Sequence, residues 1–236
     1  MKQFNIRTLK SGALCLMLAS TGLLTACGSD DDKDAEMASF EITVTNLSAN
    51  QPLSPLAALL HDADYKAWSI GGTASDGLEV LAEGGDNSTF ISGDAAMLMT
   101  SASGSAPVGP GGSDTLTVTA DLASVMQITL ASMLVNTNDA FTGTTGLDVS
   151  DLAVGESMNQ ALPIYDAGTE ANDEMAGTIP GPADGGEGFN AVRDDVDFVA
   201  RHPGVVTQND GYSSSVLDES HRFDSPIARL VVKRVQ

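Results

Sequence analysis

The chain has 236 residues, and its 11 Lys and Arg against 32 Asp and Glu give a formal net charge of −21 at pH 7. This charge argues against nucleic acid, other polyanions and acidic lipids as partners, because binding a phosphate backbone requires clustered Lys and Arg side chains. Hydrophobic residues make up 42% of the chain, so the composition is that of a folded protein, and the length suits one β-sandwich or barrel domain.

The N-terminus has the layout of a secretory signal peptide. An apolar run from Ala13 to Leu24 follows three basic residues and is too short to span a bilayer, which needs roughly 20 apolar residues. The run ends in Leu24-Thr25-Ala26-Cys27, which resembles a bacterial lipobox, in which the Cys is diacylated and becomes the first residue of the mature protein. We therefore expect residues 1–26 to be removed and Cys27 to carry a lipid that holds the protein on a membrane. The alternative is an ordinary signal peptide with a Cys near its cleavage site.

The residues after Cys27 predict a location and a tether. Gly28 stands where an Asp retains enterobacterial lipoproteins in the inner membrane, so the outer membrane of the cell envelope is the expected location. Residues 27–37 combine the lipidated Cys with an acidic, weakly hydrophobic tether. The other cysteine, Cys15, lies in the signal peptide, so the folded domain, expected over residues 38–236, has no disulfide.

The first half of this domain is predicted to contain two strands and one short helix. Residues 40–45 alternate apolar and polar side chains with β-branched residues, which is typical of a half-buried strand. Residues 55–60 form a short apolar run that ends at His61-Asp62 and fits a buried strand. Residues 75–83 fit a short helix with Ser75 as its N-cap.

The second half is predicted to be mostly strands and long loops. Residues 100–114 are rich in Ser, Ala, Gly and Pro and indicate a loop, and residues 168–211 form a long, acidic, Gly-rich stretch without periodicity. Together with the earlier elements, the pattern predicts an all-β protein, an antiparallel β-sandwich with one short helix and long loops. The further predicted strands cover residues 115–120, 125–135, 158–165 and 227–235.

The sequence contains few signatures of catalysis. It has no G-x-S-x-G, HExxH, P-loop or G-x-G-x-x-G motif. The three histidines lie far apart in the sequence, and without a Cys in the mature domain their spacing does not suggest a zinc site. An enzyme, most plausibly a calcium-dependent extracytoplasmic hydrolase that uses acids in the 168–211 stretch, remains the alternative to a non-catalytic module.

Two clusters of oxygen-bearing side chains adjoin predicted strands. Residues 136–139 (NTND) follow one strand and residues 166–170 (DAGTE) follow another, so both can lie at one rim of a sandwich. Ca²⁺ binds about 6–8 oxygen ligands of this kind, and converging carboxylates repel one another unless a cation neutralises them. The alternative is that both clusters are polar turns on an acidic surface. His61 could join such a site, but a lone histidine at a strand end is more often a hydrogen-bonded structural residue.

The same stretches resemble the spondin N-terminal domain family in its bacterial lipoprotein form. The resemblance extends over roughly residues 38–236, and it is specific because the pieces occur together and in order. The matching pieces are FEITVTNL at 40–47, QPLSP at 51–55, HDA at 61–63, ASDGL at 74–78, AEGGD at 82–86, MLVNTNDAF at 133–141, YDAGTE at 165–170, HPGV at 202–205 and PIAR at 226–229.

The resemblance implies an eight-stranded antiparallel sandwich similar to C2 domains, with one Ca²⁺ at one end. It implies Asp139, Asp166 and Glu170 as acidic ligands, with Asn138 as a further candidate. Two positions depart from the animal members: Glu170 replaces a typical Asp, and Ala140 replaces a Trp, which argues against animal-type partner recognition. Animal spondins and mindin are matrix and adhesion proteins, so the class implied here is a non-catalytic, calcium-binding module of the envelope or surface that binds an unknown ligand.

Overall fold

The structure, a computed structural model, describes residues 35–93 and 95–236. Residues Ala35–Gln236 belong to one compact unit. The predicted signal peptide, Cys27 and most of the tether lie outside the described residues. No helix in the described ranges is long and apolar enough to cross a membrane.

The described residues form a sandwich of two antiparallel β-sheets, which confirms the predicted fold class. The strands, in chain order, are β1 (Met37–Asn46), β2 (Ala57–His61), β3 (Leu98–Ser103), β4 (Ser113–Asp121), β5 (Gln127–Met133), β6 (Ala140–Asp148), β7 (Ser157–Leu162), β8 (Ile164–Asp166), β9 (Ala200–Arg201) and β10 (Ala228–Arg234).

The first sheet has the strand order β4-β1-β10-β7. Its central strand β1 places Ile42 opposite Leu116 of β4 and opposite Val232 of β10. Phe40 and Ile42 are buried while Glu41 between them is exposed, because successive side chains of a strand point to opposite faces. The alternation seen in the sequence therefore corresponds to one face on the core and one face in solvent.

The second sheet has the order β3-β2-β5-β6-β8-β9. One face packs on the first sheet through residues such as Leu60 and Leu130. The other face is covered by helix α1 (Asp76–Gly84), whose Leu78 and Leu81 pack with Phe141 in a second apolar cluster. Both faces of β5 are thus covered, which explains its long apolar run.

Helix α1 lies within one residue of its predicted bounds, 75–83, and has the predicted N-cap. The Ser75 hydroxyl accepts a hydrogen bond from the Leu78 N–H at 3.3 Å, which satisfies one of the free amides of the first turn. At the other end Gly85 adopts a left-handed conformation with φ of 69° and returns its N–H to the Leu81 carbonyl.

Several elements differ from the sequence predictions. Residues 158–165, predicted as one strand, form β7 and β8 in different sheets, with Pro163 between them. Residues 100–103 and 113–114, predicted as loop, belong to β3 and β4. Strands β6 and β9 and a second short helix, α2 (Ser88–Ser92), have no counterpart in the prediction. The described residues form ten strands where the resemblance implies eight, and two of the ten, β8 and β9, have only three and two residues.

Strand β1 runs from one end of the sandwich to the other. At its start, the Ser39 N–H donates to the carbonyl of the C-terminal Gln236. At its end, the Asn46 amide donates to the carbonyl oxygens of Gln51 and Val108. We call these the Met37 end and the Asn46 end. A strand rises about 3.3 Å per residue, so the ten residues of β1 separate the two ends by about 30 Å.

Candidate metal centre

The loops after β5 and β8 meet at the Asn46 end because β6 pairs with both strands. Phe141 lies opposite Met133 of β5, and Ala140 lies opposite Asp166 of β8. Asp139, directly before β6, therefore faces the chain that follows Asp166, and its carbonyl oxygen accepts a hydrogen bond from the Ala167 N–H at 3.3 Å. The Gln51 side chain donates to the Asn136 carbonyl at 3.1 Å and joins this loop to the end of β1.

Asp139 is fully buried, and its two carboxylate oxygens have different surroundings. Oδ2 accepts hydrogen bonds from the N–H groups of Thr169 at 2.8 Å and Glu170 at 3.2 Å. Oδ1 is buried and has no hydrogen-bond partner among the described residues. Burial, and then the nearby charge of Asp166, raise the pKa of Asp139 to about 7.

Glu170 has a second buried oxygen of this kind, Oε2, which is also without a hydrogen-bond partner in the described ranges. Burial raises the pKa of Glu170 to about 8, and the charge of Glu83 adds to this effect, while the Asn138 side chain opposes it. An unsatisfied buried oxygen on a carboxylate is costly. A cation placed between such oxygens would remove that cost.

Asp166 lies next to Asp139 but is fully hydrogen-bonded. Its Oδ1 accepts from the Gly168 N–H at 2.7 Å, and its Oδ2 accepts from the Asn172 amide at 2.6 Å. Asn172 in turn accepts from His202 Nε2 at 3.0 Å, because His202 Nδ1 is the acceptor for the Gly204 N–H. The Asp166 carboxylate is therefore held in one orientation by a chain of side chains.

Asn138 is buried, and its side chain is hydrogen-bonded to the neighbouring loop. Its amide donates to the Thr178 hydroxyl at 3.1 Å, and its Oδ1 accepts a long hydrogen bond of 3.4 Å from the Glu174 N–H. These contacts give Asn138 a role in ordering residues 174–178 beside the acidic side chains.

Glu83 on α1 belongs to the same site, although we did not predict it as a site residue. It is fully buried; its Oε2 accepts a hydrogen bond from the Asn190 N–H at 2.9 Å, and its buried Oε1 has no partner in the part of the chain that the structure describes. Burial raises its pKa. The signal in the sequence was an i, i+4 pair of glutamates, Glu79 and Glu83, next to the apolar stripe of the helix.

We refer to Glu83, Asp139, Asp166, Glu170 and Asp195 as the acidic cluster. Asp195 belongs to it because the charge of Asp166 adds to burial in raising the Asp195 pKa. The three unsatisfied buried atoms, Glu83 Oε1, Asp139 Oδ1 and Glu170 Oε2, are called the open oxygens. His61 is not part of the cluster, since its ring is hydrogen-bonded to the Thr129 hydroxyl and the Asp62 carbonyl.

Residues 189–198 lie against the cluster and depend on a glycine. The N–H of Asp197 donates to the Gly168 carbonyl at 2.7 Å, and the N–H of Asp194 donates to the Thr169 carbonyl at 3.1 Å. Gly168 has φ of 71°, and a Cβ at this position would lie 2.3 Å from the Phe198 carbonyl oxygen. Only glycine permits this close approach.

The donor set fits a hard cation such as Ca²⁺, which prefers carboxylate and carbonyl oxygens. All three open oxygens are carboxylate oxygens. In their present arrangement, however, no three His, Cys, Asp or Glu side chains within residues 35–93 and 95–236 form a group that could hold a metal ion. The described residues therefore supply oxygen atoms of the type that Ca²⁺ binds, but these atoms are not arranged as a complete coordination shell.

Comparisons with known proteins identify the family. A search of curated proteins finds none that matches the chain. A family model described as Spondin_N matches residues 46–177, more than half of the chain. The matched range contains Glu83 and Asp139, as well as Asp166 and Glu170. Spondin N-terminal domains are typically extracellular. The chain belongs to the spondin N-terminal domain family.

Proposed function

We propose that the protein is a calcium-binding β-sandwich module, anchored to the cell envelope by a lipid on Cys27, and that it serves adhesion or ligand binding without catalysis. The observation that carries this proposal is the pair of open oxygens on Asp139 and Glu170. Both oxygens are buried at the Asn46 end, where the Glu170 N–H donates a hydrogen bond to the Asp139 carboxylate. A bound Ca²⁺ would supply the positive charge that this end of the domain needs.

The protein residues have distinct tasks in such a site. Asp139 and Glu170 would supply the open oxygens, and Asp166 would supply an oxygen that Asn172 and Gly168 already orient. Asn138 orders the adjacent loop through Thr178. Because the ligands come from the loops before β6 and after β8, an ion would fasten these two loops to each other.

Three acids of the 168–211 stretch have structural hydrogen bonds, which favours a binding module over a hydrolase that would use them. Asp173 accepts hydrogen bonds from the Met175 N–H and the Thr178 hydroxyl. Asp184 accepts from the Gly177 N–H, and Asp194 accepts from the Ala171 N–H. These carboxylates hold their own loop together, which gives them a structural role that needs no reaction.

The position of the cluster also supports a role in binding. The tether precedes β1 and joins the domain at the Met37 end, whereas the acidic cluster lies at the Asn46 end. A lipid on Cys27 would therefore leave the cluster at the end away from the attachment point. Exposed apolar side chains occur beside the cluster, and such side chains are frequent at binding surfaces; they are Phe189, Val192, Val196 and Phe198.

Thermal unfolding of the purified chain in EDTA, in calcium and in magnesium tests the proposal. Trp68, the only tryptophan, packs on Phe141 and Tyr165 and reports the state of the domain. We expect calcium alone to raise the melting temperature, because a ligand at 100 times its Kd stabilises by about 2.7 kcal/mol. Asp166→Ala should abolish this shift, and Asp121→Ala, at the Met37 end, should retain it. A wild-type chain with the same melting temperature in EDTA and in calcium would refute the calcium site.

A further inference from the structure

Two glutamates that lie one turn apart on α1, Glu79 and Glu83, have different hydrogen-bond partners. Glu79 accepts a hydrogen bond of 2.6 Å from Arg193, which also pairs with Asp197. Glu83, one turn later, accepts a hydrogen bond from the Asn190 N–H at Oε2, while Oε1 is one of the open oxygens. The guanidinium group of Arg193 is thus committed to Glu79 and Asp197, and the more deeply buried of the two carboxylates lacks a salt bridge within the described ranges.

The open oxygen of Glu83 is held in the interior by the packing of the helix. Leu78, Leu81 and Ala82 are fully buried in the second apolar cluster, so α1 cannot rotate to bring Glu83 into solvent. Glu83 itself has no exposed surface. If Glu83 is ionised in this position, its negative charge is either left without a partner or is balanced by a cation bound inside the protein.

Thr169 connects Glu83 with the other open oxygens. Its N–H donates to Asp139 Oδ2 at 2.8 Å, and its hydroxyl contacts the carboxylates of both Asp139 and Glu83. Glu83 is also close enough to Glu170 for its negative charge to act on that carboxyl group. The three side chains that carry the open oxygens therefore lie around one residue, Thr169, although they come from a helix and two loops.

From this arrangement we propose that Glu83 is an additional acidic ligand of the ion, and that its second oxygen makes the docking of residues 189–198 depend on that ion. The proposal rests on the proposed calcium site. With Oε1 on the ion and Oε2 on the Asn190 N–H, one carboxylate joins the ion to the segment. Withdrawal of the ion leaves like charges around Thr169 and loosens the Asn190 contact.

Calcium titration of the full chain in detergent, followed by Trp68 fluorescence, tests the ligand role. We compare Glu83→Gln with Glu79→Gln, which makes the same change on the same helix and retains an oxygen for Arg193. Loss of one charged ligand should weaken calcium binding by about tenfold or more in Glu83→Gln, and Glu79→Gln should change it by less than about threefold. Glu83→Asp, which keeps the charge, should bind more tightly than Glu83→Gln and covers the case in which the Gln variant does not fold.

Trypsin cleavage after Arg193 tests the coupling, with cleavage after Arg222 as the internal control. Saturating calcium should slow cleavage at Arg193 in the wild type and in Glu79→Gln, and should leave its rate unchanged in Glu83→Gln. Wild-type affinity together with wild-type protection in Glu83→Gln would overturn the inference while leaving the calcium site intact. A wild-type chain that binds no calcium would overturn both proposals.

Discussion

Replacement of Asp139 by Asn should stabilise the calcium-free protein at alkaline pH and destabilise it, relative to the wild type, in calcium. Asn has the same shape as Asp and keeps an oxygen that can accept from the N–H groups of Thr169 and Glu170. Its amide replaces the open oxygen Oδ1 and removes a buried negative charge. The substitution thus separates the cost of the charge from the hydrogen bonds of the loop.

The magnitude follows from the pKa of Asp139, which burial and Asp166 raise from 3.8 to about 7. A carboxyl group that holds its proton more tightly in the folded state stabilises the fold at low pH, and this advantage is lost as the pH rises from about 4 to about 7. At about 1.4 kcal/mol per pKa unit, the ionised form costs about 4 kcal/mol at pH 8. One kcal/mol shifts the melting temperature of a domain of this size by about 2–4 °C.

The assay is thermal unfolding of wild type and Asp139→Asn in EDTA at pH 4 and pH 8, and in calcium at pH 8. In EDTA the variant should melt at least about 5 °C above the wild type at pH 8, and the difference should vanish near pH 4. In calcium the order should reverse, because only the wild type retains the ligand. A variant that is less stable than the wild type by the same amount at both pH values in EDTA would refute the reasoning.

Three further outcomes are expected. Calcium binding at pH 7 should release between one and two protons, since the pKa values of Asp139 and Glu170 are about 7 and about 8 and metal ligands must ionise; calorimetry in buffers of different ionisation enthalpy measures this release, which should approach zero above pH 9. Gly168→Ala should lower the free energy of unfolding by at least about 2 kcal/mol in chemical denaturation, because its Cβ would meet the Phe198 carbonyl. Cys27→Ser should move the protein from the membrane fraction to the soluble fraction; a variant that stays with the membranes would contradict the lipid anchor.

The predictable part of the fold is the part encoded by local periodicity and caps. Strands β1, β4 and β10 alternate buried and exposed side chains, so their presence is readable without a partner strand. Helix α1 is bounded by Ser75 and Gly85, whose hydrogen bonds are local. The predicted bounds of these elements lie within three residues of the observed ones, because their signals do not depend on the rest of the chain.

The unpredicted elements depend on contacts between distant residues. Strand β6 begins with five buried residues, including Thr142 and Gly143, and has no alternation. It is a strand because β5 and β8 supply hydrogen-bond partners on both sides. The prediction of one strand over residues 158–165 is wrong because of Pro163, which has no N–H and marks the point where the chain leaves one sheet for the other.

The site also has a part that the sequence predicts and a part that depends on distant contacts. Strand ends suggested that residues 136–139 and 166–170 could lie at one rim, and β6 brings them together there. Glu83 could not be assigned from sequence, since its membership depends on the angle at which α1 packs on the second sheet. The burial of Leu78 and Leu81 sets that angle, and a glutamate on the adjacent face is then carried into the interior.

The distance of the acidic cluster from the tether fits the proposed orientation. The cluster lies about 30 Å from the Met37 end, by the rise of the ten-residue strand β1. Anionic lipid headgroups repel carboxylates, and this repulsion falls off within a Debye length of about 8 Å at physiological salt. If the lipid on Cys27 held the Met37 end at a bilayer, the carboxylates of the cluster would lie beyond the range of this repulsion. Calcium would then neutralise the end of the molecule that is free to meet a ligand.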